Sequence, residues 1–143
     1  MFYLDTSFIA PAFAAEVRSE AVLDWLGMQS NGQLYLSSWT AAELASAMSR
    51  KVRRRELTVA QADEALAAFD FWRGENCLPL EADDDDIRRA EIFVRVYDSG
   101  LRAADALHLA LAERHGNLIT VTYDEGLLKA AAGFGLNAQR GPV

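Results

Sequence analysis

LRAADALHLALAERHGNLITVTYDEGLLKAAAGFG, residues 101–135, reads as helix, strand and helix in direct succession. Leu101 to Gly116 is a helical run closed by glycine, and NLITVTYD (117–124) has the branched residues of a strand. EGLLKAAAGFG follows as a short helix. A strand held between two helices calls for parallel partners reached by crossovers. Working outward, FYLDTSFIA reads as a short opening strand that ends near Asp5 to Phe8. LYLSSW (34–39) is a second strand, CLPLE (77–81) a third weakened by Pro79, and LNAQR (136–140) a last edge strand. Helices fill the intervals. One follows Ser19 and Glu20 as AVLDWLGM, and another, TVAQADEALAAFDFW, is capped by Thr58. A third starts at Thr40, with Glu43 three residues on in capping-box spacing and a stripe of Ala41, Leu44, Met48 and Val52. The acidic run Asp83–Asp86 reads as the solvated start of IRRAEIFVRVY, where the helix dipole favours negative charge. This alternation predicts an α/β fold: a three-layer α/β/α sandwich with a central parallel sheet of about five strands, built by residues 1–143 as a single domain.

Bulk composition narrows the function classes. Hydrophobic residues make up 51% of the 143 and charged residues 24%, enough apolar material for one core without a disordered tail. Fourteen Lys and Arg stand against 21 Asp and Glu, a net charge of −7. Such a chain is ill suited to coating nucleic acid, because that affinity comes from cationic side chains. It is compatible with an enzyme whose acids hold divalent ions against a phosphodiester. Cys77 is the lone cysteine, which excludes an intrachain disulfide and a cysteine-based zinc site. His108 and His115 are the only histidines, too few for a histidine-rich cage. The apolar N-terminus lacks a positive flank and is broken by Asp5 and Pro11, unlike a signal peptide. With no apolar run of about 18 residues to span a membrane, the expectation is a soluble, cytoplasmic protein.

Four carboxylates stand out by position. Asp5 and Asp124 fall at the carboxyl ends of two expected parallel strands, the edge where ligand crevices form in open α/β sheets. Asp124 also reads as a helix N-cap. Asp105 lies on a helix surface shared with Leu101, His108, Leu109 and Ala112, so it reads either as paired with Arg102 or capping the helix start, or as the ligand of a bound cation. Glu43, near Trp39, Ser46, Ala47 and Arg50, reads on its own as the capping-box acid. Gathered in one crevice, these acids would repel one another until a divalent cation relieved them. All-oxygen carboxylate ligation suits Mg²⁺ or Mn²⁺, and two such ions about 4 Å apart can activate water and stabilise a leaving oxygen. The chain carries no convincing Ser–His–Asp or Cys–His set and no P-loop.

YLDTSFI (3–9), TAAELASAM (40–48), LRAADALHLALA (101–112) and TVTYDEGLLKAA (120–131) resemble, in order and spacing, PIN-domain ribonucleases of the VapC toxin type. The resemblance spans essentially the whole chain. It implies a five-stranded parallel sheet between helices and Mg²⁺- or Mn²⁺-dependent endonucleolytic cleavage of RNA. It also implies a homodimer silenced by a cognate antitoxin that lays a peptide segment over the acidic pocket. Carried over residue by residue, Asp5, Glu43 and Asp105 match the family's core metal-binding acids, and Asp124 its fourth, more variable one. Thr6 and Ser7 correspond to the polar pair after the first acid, and Thr122 to a polar residue beside the fourth.

The remaining features take plainer readings. Lys51-Val-Arg-Arg-Arg55 is the densest basic segment, read as a solvated helix end that complements the dipole, with contact to RNA or antitoxin as the alternative. His108 reads as a packed histidine near the site. Trp25, Trp39 and Trp72 read as core or interface anchors. An aspartyl-phosphate phosphatase is the rival enzyme, but it wants a second acid two residues past Asp5, and Ser7 stands there. A receiver domain would want an acidic pair near the first strand. A non-catalytic PIN-like protein-binding module is the remaining rival.

Overall fold

In the computed structural model, which describes residues 1–116 and 118–143, the layers are set within three residues. Tyr3 and Leu4 are neighbours on β1 (Phe2–Leu4), both fully buried, but they enter separate hydrophobic clusters because successive side chains of a strand point to opposite faces. The Leu4 cluster is completed by α1 (Thr6–Phe13), α2 (Ser19–Gly27), α3 (Ser38–Arg53) and α4 (Val59–Asn76), through Phe8, Val22, Leu44 and Phe69. The Tyr3 cluster is completed by α5 (Asp84–Val94), α6 (Ala103–Arg114) and α7 (Glu125–Gly133), through Phe93, Leu109, Leu111 and Leu127.

Between them lies a five-stranded sheet in the order β3-β2-β1-β4-β5, with β2 at Leu34–Ser37, β3 at Cys77–Leu80, β4 at Ile119–Thr122 and β5 at Ala138–Arg140. Every neighbouring pair is parallel. The chain builds outward from β1 to β2 and β3, then returns to place β4 on the other flank of β1. The strand order therefore reverses between β1 and β4, and a crevice opens at their carboxyl ends. Pro79 is tolerated because β3 is an edge strand.

Most expected elements are present with shifted bounds; the second strand, expected over 34–39, stops at Ser37 because Ser38 and Trp39 open α3. The opening strand ends at Leu4, and the residues expected to prolong it form α1 instead. Asp5 caps that helix by accepting from the Ser7 N–H, and Pro11 is accommodated inside it. The α3 helix begins two residues before Thr40. Its N-cap is Ser37, whose Oγ accepts from the Thr40 N–H at 3.0 Å, so the expected Thr40–Glu43 capping box does not form. The strand expected over 117–124 is shorter, at Ile119–Thr122, and Asn117 lies outside the described residues. The acidic run is not wholly solvated either. Asp83 caps α5, while Asp86 is buried and held by the Arg114 guanidinium at 2.6 Å, tying α5 to α6. Among the described residues no helix is long and apolar enough to cross a membrane.

Candidate active site

Asp5 reaches the crevice because β1 ends one residue before it. Its Oδ2 accepts from the Ser7 hydroxyl at 2.5 Å, the Thr122 hydroxyl at 2.7 Å and the Ser7 N–H at 3.2 Å. Oδ1 faces the His108 ring, 3.3 Å from Nε2. One oxygen is thus saturated by neighbours from α1 and β4, and the other is presented to the crevice.

Glu43, freed from capping, projects from the second turn of α3. Its Oε2 accepts from the Thr6 hydroxyl at 2.5 Å and from His108 Nε2 at 2.6 Å. Burial alone would raise its pKa. The hydrogen bond and charge of His108, then Thr6 and Arg50, outweigh that and hold the carboxyl below its usual range.

His108 is a site residue, not merely a packed one. Its other nitrogen, Nδ1, lies 2.6 Å from the Tyr3 hydroxyl, which in turn bonds Ser37 Oγ at 2.8 Å. The ring is 1% exposed. Burial opposes its charge, but Glu43, Asp5 and Asp105 more than offset that, and the imidazole pKa is raised. The spacing Asp105-x-x-His108, one turn on a single helix face, was the signal that could have linked it to the acids. Nothing in the sequence flagged Tyr3 and Ser37, and Thr40 was flagged only as a helix cap; the three form the buried hydroxyl network beneath it.

Asp105 and Asp124 complete the set. Burial is the main reason that the Asp105 pKa is raised. Repulsion from Asp124 and Asp5 adds to it, while Arg102, 3.5 Å away and mostly exposed, and His108 only partly compensate. Asp124 caps α7 through Oδ1, which accepts from the Leu127 N–H at 2.9 Å, as the N-cap reading expects. All four expected acids line one cavity of about 660 Å³. The same cavity is lined by Arg50, by Lys51 and Arg54 of the basic segment, and by Arg102.

The donor chemistry fits a divalent cation. Asp5, Glu43 and His108 each present a ligand atom, all within 4.8 Å of one another. Both His108 nitrogens are already hydrogen-bonded, however, so it serves better to hold Glu43 than to ligate. Burial first, and then repulsion from Asp124 and Asp5, disfavour the Asp105 charge, and Arg102 and His108 offset this only in part. Oxygen ligands with that excess charge suit Mg²⁺ or Mn²⁺.

Comparison with known proteins agrees with this architecture. A family model described as PIN domain matches residues 2–133. Ribonuclease VapC35 of Mycobacterium tuberculosis is 30% identical over 140 residues, covering 95% of this chain and 93% of that protein. Among solved structures, M. tuberculosis VapC20, described as a Sarcin-Ricin loop cleaving toxin, superposes with a TM-score of 0.73 at 19% identity, covering 95% and 96% of the two chains. DNA-bound VapBC from Salmonella typhimurium gives 0.70 at 16% identity, covering 97% and 96%.

Proposed function

This chain belongs to the PIN-domain family, and on that footing we propose that it is a divalent-metal-dependent endoribonuclease, the toxin partner of a toxin–antitoxin pair. The observation that carries this reading is the convergence of Asp5, Glu43, Asp105 and Asp124, from four separate elements, on one cavity at the point where strand order reverses. The names of VapC35 and of the VapBC complex support the RNA substrate and the antitoxin.

In this reading the four acids hold Mg²⁺ or Mn²⁺, which supplies Lewis acidity toward the phosphoryl group and lowers the pKa of water. The chain's own groups prepare the place. Ser7 and Thr122 fix one Asp5 oxygen so that the other faces the cavity. His108 and Thr6 keep Glu43 ionised and oriented. Asp105, half-buried and repelled by Asp124 and Asp5, adds charge that Arg102 and His108 offset only in part and that a bound cation would relieve further. The phosphatase alternative is weakened because Ser7, where its second acid belongs, is committed to Asp5.

Purified protein is expected to cut RNA with Mg²⁺ or Mn²⁺ and to stop in EDTA. Asp5→Asn and Asp105→Asn are each expected to lower cleavage by about 100-fold or more, with unchanged far-UV circular dichroism. Variants that cut as fast as the parent would sink the assignment. Acyl-phosphate trapped on Asp5 would favour the phosphatase, and a well-folded parent that cuts no RNA would favour the binding module. We propose further that two copies pair through the apolar groove lined by Trp39, Ile87, Ala90, Val94 and Leu107, where Ile87 is 57% exposed. Size-exclusion chromatography checks this: the parent elutes at twice the chain mass and Ile87→Glu at the monomer position.

A further inference from the structure

Once the acids are assigned, the basic wall of the cavity remains to be explained. Glu43, Ala47 and Arg50 share one face of α3, Arg54 follows four residues on as the C-cap, and all four line the cavity. At a rise of ~1.5 Å per residue, Arg50 stands roughly 10 Å and Arg54 roughly 16 Å along the helix from Glu43. Ala47 leaves the intervening turn without bulk. Lys51 is already neutralised, by Glu16 at 3.3 Å and Glu56 at 3.8 Å. Arg50 and Arg54 are exposed and form no ion pair among the described residues.

We propose that Arg50 and Arg54 form a phosphate-binding track on α3 that holds the RNA backbone on one side of the cut. The inference rests on the ribonuclease reading and gives it a direction. A phosphodiester at the acids has neighbouring phosphates on the same strand, and these must lie against a chain of net charge −7. The α3 stripe offers them two unpaired cations in line with the site. A guanidinium fork matches phosphate oxygens better than a point charge does. An acidic protein segment would also meet two arginines. RNA is favoured because the stripe begins at Glu43, one of the acids that line the reacting end of the cavity.

The test uses full-length protein carrying Asp105→Asn, which leaves RNA uncut, in Mg²⁺. Binding of a fluorescein-labelled single-stranded oligoribonucleotide is followed by anisotropy across a salt series. Adding Arg50→Ala and Arg54→Ala is expected to weaken binding about tenfold for each residue and to flatten the slope of log affinity against log salt by about 1.4 in total. Arg50→Lys with Arg54→Lys restores most of the slope, because the charge remains. Arg53→Ala is the control: Arg53 bonds Ser49 Oγ, lies outside the cavity, and should change little. In cleavage by otherwise unaltered protein, the arginine double variant is expected to raise KM more than it lowers kcat. That rise should vanish for substrates trimmed on one flank of the cut and persist for those trimmed on the other. A double variant whose affinity and salt slope match those of Arg53→Ala overturns the track, as does normal RNA binding with lost binding of an acidic protein partner. A chain that binds RNA with the arginine-dependent slope yet never cuts it supports the track and sinks the ribonuclease reading.

Discussion

His108 shows how much one residue's meaning depends on its surroundings. From its neighbours in the chain it is a histidine on an apolar helix, which is most simply a packed one. The fold instead places it between Tyr3 beneath and Glu43 and Asp5 above. Those contacts lie 65 to 105 residues away in sequence for Glu43 and Tyr3, and local spacing cannot report them. Its pKa is raised above the ordinary 6.5, so in metal-free protein its stabilising contribution is fully present below about that value. The contribution is lost as pH rises through the folded-state value. Thermal melts in EDTA, taken from about pH 5.5 to about 8.5, should therefore show a falling midpoint that His108→Asn flattens. A midpoint equally pH-dependent in both proteins would remove His108 from this role.

At the scale of elements, caps decide where helices begin and end. Thr58 was readable as a cap and closes a full capping box with Gln61. The start of α1 was not, because its cap, Asp5, closes an apolar stretch and the following Phe8-Ile9 mimics a strand. Ser37, Ser38 and Thr40 all have capping side chains, and tertiary contacts among Tyr3, Ser37 and Thr40 select the first. The α3 helix ends in a Schellman arrangement: Glu56 N–H donates to Lys51 C=O at 2.9 Å and Arg55 N–H to Val52 C=O at 3.0 Å. Arg55 takes the left-handed position there, with φ 60°, where glycine is unstrained. Arg55→Gly should raise stability by about 0.5 to 1 kcal/mol in urea unfolding. A loss of stability would mean that the Arg55 side chain makes up for its backbone.

For the whole molecule, the sequence was most legible where periodicity was strongest. Residues 101–135 show their helix–strand–helix order openly, and with the other short strands they imply a parallel sheet. The order β3-β2-β1-β4-β5 was not legible, since it depends on which strands pair across the sheet. That order brings four dispersed acids to one cavity, by setting the ends of β1 and β4 side by side. Mn²⁺ binding, followed by the loss of the free-ion electron paramagnetic resonance signal, tests this convergence most directly. The parent chain should take Mn²⁺ out of solution, and Asp5→Asn and Asp105→Asn should each bind it at least about tenfold more weakly. A parent that leaves the free-ion signal undiminished, or variants that bind as tightly as the parent, would contradict a shared metal site.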